Sequence, residues 1–131
     1  MNCSWHSPNP MNYESTKTIP SATFPGVRIT IRRMTLGRRL EMIRQVKERA
    51  KKLEFHQAGD SLEDILSSSM LACEIERIYL EWGLSGVEGL EIDGVPATKE
   101  SLFESGPEPL CKEVIEAVKA EIFLTESERK N

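Results

Sequence analysis

From Thr35 to Gly83 the chain places apolar residues every three or four positions, and the repeat is broken once, at His56-Gln57-Ala58-Gly59-Asp60-Ser61. Two amphipathic stripes joined by so short a break predict antiparallel neighbouring helices, an αα-hairpin. Thr35 can cap the first helix, whose stripe runs Leu36, Leu40, Ile43, Val46, Ala50 and Leu53. Gly59 is expected in the left-handed conformation that ends a helix. Asp60 or Ser61 then caps the second helix, with Glu63 and Asp64 in its first turn. That helix is apolar over a wider arc (Leu62, Ile65, Leu66, Met70, Leu71, Cys73, Ile75, Ile78, Tyr79, Trp82), so it is expected to pack on more than one neighbour before Gly83 ends it.

The flanking segments complete the expectation. Val27, Ile29 and Ile31 alternate with Arg28, Thr30 and Arg32, a period of two that predicts a short strand within residues 27–34. Residues 1–26 contain Pro8, Pro10, Pro20 and Pro25 among Ser, Thr and Asn without periodicity, and are expected to form a disordered leader to a single small helical domain at 27–131. Asp93-Gly94 between Leu90–Ile92 and Val95–Ala97 is a type I′ hairpin signal. Thr98 caps a short helix ending at Gly106, and Pro107-Glu108 opens a last helix carrying Leu110, Val114, Ile115, Val118 and Ile122. The fold class expected is mainly α with a small β element: a helical hairpin, a C-terminal helix, a short N-terminal strand and a β-hairpin. Its expected core is Ile29, Ile31, Leu40, Ile43, Val46, Leu53, Leu62, Ile65, Leu66, Ile78, Trp82, Leu90, Ile92, Leu110, Val114, Val118 and Ile122, with Trp82 as the anchor.

The chemical inventory is thin. His6 falls in the expected leader, where with Cys3 it forms a Cys-x-x-His pair short of the four ligands of a zinc site, and His56 falls at a helix end, so no acid–base pair suggests itself, and no glycine-rich phosphate loop is present. Cys3, Cys73 and Cys111 are too widely spaced for a disulfide framework or a zinc finger, and Cys73 and Cys111 fall in apolar helical patterns as small hydrophobes. Glu88, Glu91 and Asp93 match no calcium loop. The expectation is a protein that is not an enzyme and takes no cofactor or metal. No apolar run approaches the roughly 20 residues of a membrane span, and the first residues lack the basic and apolar regions of a secretory signal, so the cytoplasm is the expected compartment.

Charge is more informative. Residues 27–52 hold ten basic side chains and two acidic ones, net +8, in a chain of net −4, so the remainder carries −12. Such a division is satisfied by a nucleic acid on segment 28–52, by an acidic partner, or by attraction between the two halves of the fold. The residues singled out for partner binding are Arg38, Arg39, Arg44, Lys47, Met70 and Tyr79.

The order of elements, with "GVRITIRRMTLGRRLEMIRQV", the helix-terminal tryptophan of "YLEWGLSGVEGLEIDGVPATKESLFESGPEPL" and the closing helix before "LTESERKN", resembles small tail assembly chaperones and accessory proteins of long-tailed bacteriophages and prophages. The likeness covers residues 27–131 and rests on the tryptophan, the glycine-containing turn and the series Gly94, Pro96, Thr98, Glu100, Leu102. The basic load on the first helix and the proline-rich leader depart from it. The resemblance implies a non-enzymatic factor in the bacterial host cytoplasm that binds an extended helical partner, such as the tape-measure or tail-tube protein. It transfers no residue with a chemical role. Nucleic-acid binding through segment 28–52 is the alternative, and homo-oligomerisation is compatible with both.

Overall fold

The computed structural model describes residues 9–130, and the side chains of residues 9–122. Its elements are β1 (Thr16–Pro20), β2 (Arg28–Arg32), α1 (Leu36–Gln57), α2 (Leu62–Gly83), β3 (Leu84–Glu88), β4 (Glu91–Ile92), β5 (Val95–Pro96), α3 (Lys99–Ser105) and α4 (Glu108–Lys130). The mainly helical expectation holds: four helices accompany one three-stranded antiparallel sheet, ordered β1-β2-β3, and the small β4-β5 hairpin.

Local chemistry sets most boundaries. The Thr35 hydroxyl accepts from the Arg38 N–H and starts α1; Ser61 accepts from the Asp64 N–H and starts α2. Thr98 and Ser101 form a reciprocal capping box at α3. Asp93 and Gly94 both have positive φ, 53° and 79°, as a type I′ turn requires, and the Ala97 N–H donates to the Leu90 carbonyl across the hairpin base.

Gly59 corrects the expectation made for it. Its φ is not positive, and α1 ends on Ala58 in right-handed conformation. Glycine is needed there for space, because a Cβ would lie 2.1 Å from the Asp64 Oδ2. That carboxylate is held by the Ser61 hydroxyl at 2.8 Å and by His56 Nδ1 at 2.9 Å, so it bridges the end of α1 and the start of α2.

The leader expectation is also corrected. Residues 16–20 form an edge strand on β2, in register from Thr16 opposite Arg32 to Pro20 opposite Arg28, and proline is tolerated at an edge because no ladder donor is lost to a neighbour. The following loop is tied to α4: Glu113 accepts from the Ser21 hydroxyl at 2.7 Å and from the Ala22 N–H at 2.6 Å. The Ser21 hydroxyl in turn accepts from the Phe24 N–H at 2.9 Å, and Lys17 pairs with Glu121 at 2.7 Å. Residues 1–8 of the expected leader, with Cys3 and His6, lie outside the described residues.

The core sits between the sheet, α4 and the C-terminal half of α2. Ile29 and Ile31 of β2 are fully buried and join Met42, Ile78, Leu80, Leu84, Leu102, Leu110, Val114, Val118 and Ile122. Gly83 lets α4 come close, since a Cβ there would meet Val118 Cγ2 at 2.3 Å. Trp82 is half-buried against this cluster and is not its centre. Leu40, Ile43, Leu62, Ile65 and Leu66, all expected inside, are exposed.

Candidate docking surface on the helical hairpin

The misplaced core residues define the surface. Helix α1 is packed extensively against α2, whereas α2 also meets α4, α3 and the sheet. Two cross-helix pairs fix the hairpin register: Arg49 Nε to Glu74 Oε1 at 3.2 Å, and His56 Nδ1 to Asp64 Oδ1 at 2.9 Å. The start of α1 therefore lies level with the end of α2, at the body of the protein, and the His56–Asp64 end is the hairpin tip.

In α1 the inward positions are Arg39 and Met42, both buried, then the partly buried Val46, Arg49, Leu53 and His56. The stripe through Leu36, Leu40 and Ile43 stands about 100° around the helix from these at 100° per residue, and it faces solvent, with Leu36 84% exposed. The first half of α2 shows a second apolar group, Leu62, Ile65, Leu66 and Met70, of which Leu62 is 71% exposed, and Phe55 near the end of α1 is exposed too. Contiguous apolar groups of this kind on a folded surface mark contact sites more often than chance exposure.

Basic side chains flank the base of this surface. Arg38 is partly exposed and Lys47 exposed; Arg44 reaches Glu41 at 3.3 Å, an exposed i,i+3 pair. Arg39 is different: it is only 9% exposed, and its Nε has no hydrogen-bond partner among the described residues. Buried guanidinium nitrogens are normally satisfied, so this one is an unmet donor. Tyr79 lies away from the group, half-buried beneath the Lys119 ammonium, 5.5 Å from its ring centre, with its phenol pKa pushed up by burial. The structure thus spreads Arg38, Arg39, Arg44 and Lys47 along the first half of α1, with Arg39 buried and Arg44 and Lys47 exposed, leaves Met70 exposed in the first half of α2, and half-buries Tyr79 against Lys119 of α4. Periodicity singled out the apolar positions; the tertiary arrangement turned them outward.

A groove of about 260 Å³ lies between α2, α3 and α4, lined by residues including Cys73, Glu76, Phe103, Cys111 and Lys112. Lys112 is ion-paired with Glu76. Cys111 is half-buried, donates to the Leu102 carbonyl at 3.4 Å, and has its thiol pKa raised by burial first and by Glu108 and Glu76 second. Such a thiol is held protonated, the opposite of nucleophile activation. Cys73, expected inside, is exposed. Among the described residues no three His, Cys, Asp or Glu side chains are grouped to hold a metal ion, and no helix is long and apolar enough to cross a membrane.

The basic segment 28–52 is divided by the fold. Arg28 and Arg32 belong to β2, and Arg33 Nε donates to the Glu14 carbonyl at 2.9 Å, while Arg49 is engaged with Glu74 inside the hairpin. Comparison with family models, with curated proteins and with solved structures finds no match.

Proposed function

We propose that this chain is a non-enzymatic polypeptide-binding protein whose helical hairpin holds an extended, amphipathic helical segment of an acidic partner. The observation that carries the reading is the exposure of Leu36, Leu40 and Ile43 on α1 and Leu62, Ile65, Leu66 and Met70 on α2, on a hairpin whose first helix has seven basic and three acidic residues. Apolar anchors contribute the affinity of helix-in-groove recognition, and the net +4 of α1 steers an acidic helix toward them.

In its most specific form the reading follows the resemblance to phage tail assembly chaperones, with a tape-measure-like or tail-tube protein as partner and the bacterial cytoplasm as the setting. Co-expression with a long helical tape-measure or tail-tube protein tests this. The partner is expected to become soluble and to co-purify, with capture weakened by charge reversal at Arg38 and Arg44. A partner that precipitates equally with and without this chain, and never co-purifies at low salt, overturns the reading. A salt-sensitive shift of duplex DNA or RNA in place of capture would transfer the basic segment to nucleic-acid binding.

A further inference from the structure

Helix α2 has one covered side and one that is covered only at its end. Leu71 and Ile78 are buried on the side that carries Glu74, the partner of Arg49 in α1. At 100° per residue the opposite side carries Leu62, Leu66, Cys73 and Leu80, within about 40° of one another, with Ile65 beside them. Burial changes along this line: Leu80 is buried and lines the groove with Phe103 of α3 and Ile115 of α4, whereas Leu62, Ile65, Leu66 and Cys73 are exposed. The cause is where α4 starts. Lys112 pairs with Glu76, and a Cβ on Gly83 would meet Val118, so α2 and α4 run in the same direction and Glu108, the first residue of α4, is level with about residue 72. Helix α4 thus leaves the first three turns of α2 uncovered on their outer side, roughly 16 Å of helix. Cys73 belongs to both surfaces, since it ends the exposed line and also lines the groove.

The surroundings are acidic. Helices α2 and α3 together hold seven acidic and two basic residues, net −5. Arg77 is paired with Glu81 and Lys112 with Glu76, while Glu63 near the start of the line and Glu108 at the groove are exposed. We infer that the outer side of α2, from Leu62 to the groove, seats a helix of a partner polypeptide that is apolar on one face and basic along its edges, lying in line with α4. Such a helix covers the exposed leucines as α4 covers Leu80, and its basic edges meet Glu63 and Glu108. The α2 of a second copy would set like charges together. The inference rests on the polypeptide-binding reading and adds to it a second segment, opposite in charge to the one that α1 attracts and on a different side of the hairpin.

The probe is a synthetic peptide of about 14 residues, roughly 21 Å of helix, with leucine on one face and lysine on both edges, compared with the same peptide carrying glutamate in place of lysine. Cys73 is a built-in reporter, because its exposed thiol lies under the seat. Its alkylation by N-ethylmaleimide, read by mass on the fragment that contains it, is expected to slow about tenfold with saturating lysine peptide and to stay unchanged with the glutamate peptide. Ile65→Ser with Leu66→Ser is expected to weaken the lysine peptide about tenfold without altering any charge, and Glu63→Gln with Glu108→Gln about threefold. Both double variants should melt within a few degrees of the parent, since these side chains are exposed. Equal protection by the two peptides, including none, overturns the inference, as does lysine-peptide binding that leaves Cys73 reactive or ignores the serine substitutions. Protection of Cys73 on concentrating the chain alone makes a second copy the occupant and overturns it too. Each of these failures leaves partner capture on co-expression standing, so the two readings fall separately.

Discussion

A guanidinium that is nine-tenths buried, with an Nε that no acceptor among the described residues reaches, costs the fold the desolvation of that donor. Arg39 persists in a chain whose neighbouring cations are exposed or paired. Arg39→Met keeps most of the volume and removes the unmet donor, so the melting temperature is expected to hold or rise, by the equivalent of up to about 1–2 kcal/mol. If docking supplies the acceptor, capture of the partner falls in the same variant. A large loss of thermal stability would show that Arg39 is satisfied in solution. Two glycines give a matched pair of predictions. Gly83→Ala drives a methyl into the buried, stiff Val118, and on overpacking costs should destabilise by about 1–3 kcal/mol. Gly37, in the first turn of α1 with open space around its Cβ position, should tolerate alanine with a gain of up to about 1 kcal/mol. Denaturant midpoints of the two variants, displaced in opposite directions, check both.

At the scale of elements, two carboxylates tie parts of the chain that sequence separates. Burial pushes the Glu113 carboxyl up, but bonds from the Ser21 hydroxyl and the Ala22 N–H outweigh it and leave the pKa below the ordinary range. Asp64 is held below its ordinary value by His56 first and Ser61 second. Both groups have depressed folded-state pKa values, so their contribution is complete above about pH 4.3 and is lost as pH falls through the folded values. Acid titration should therefore release the 21–24 loop and loosen the hairpin tip before the core melts. Glu113→Gln should remove the part of that acid transition seen in amide exchange of residues 22–24. An unchanged acid profile in that variant would contradict the tether. What the sequence disclosed at this scale was cap and turn chemistry: Thr35, Ser61, Thr98 and Asp93-Gly94 mark boundaries by local bonds that need no tertiary information. β1 was not legible, because five residues ending in Pro20 carry no run of apolar alternation, and their order comes from pairing with β2 and from α4 carboxylates about 90 residues away.

Over the whole molecule, the body and the hairpin divide the work. Sheet, α4, α3 and the end of α2 enclose the core, and the hairpin presents what the core does not use. Apolar periodicity in α1 and α2 correctly predicted helices and wrongly predicted burial of Leu40, Ile43, Leu62, Ile65 and Leu66, because a stripe specifies a face and not what covers it. Leu80 was missed because an arc as wide as that of α2 does not show which side meets α3 and α4; Met42 lies off the apolar stripe read in α1, and Leu84 and Leu102 sit in elements too short for a periodic signal. The same ambiguity hid the candidate surface, which becomes visible only as the difference between the expected core and the observed one.

If the exposed apolar residues of the hairpin are the functional surface, they can be lost without loss of the core, which does not depend on them. The direct measurement is partner capture by a triple variant, Leu40→Glu, Ile65→Glu and Leu66→Glu, with its thermal melt recorded alongside. The predicted result is a melting temperature within a few degrees of the parent, since all three side chains are exposed, together with loss of partner solubilisation and co-purification. Capture at the parent's level by a folded triple variant would contradict the claim and place the binding surface elsewhere on the molecule.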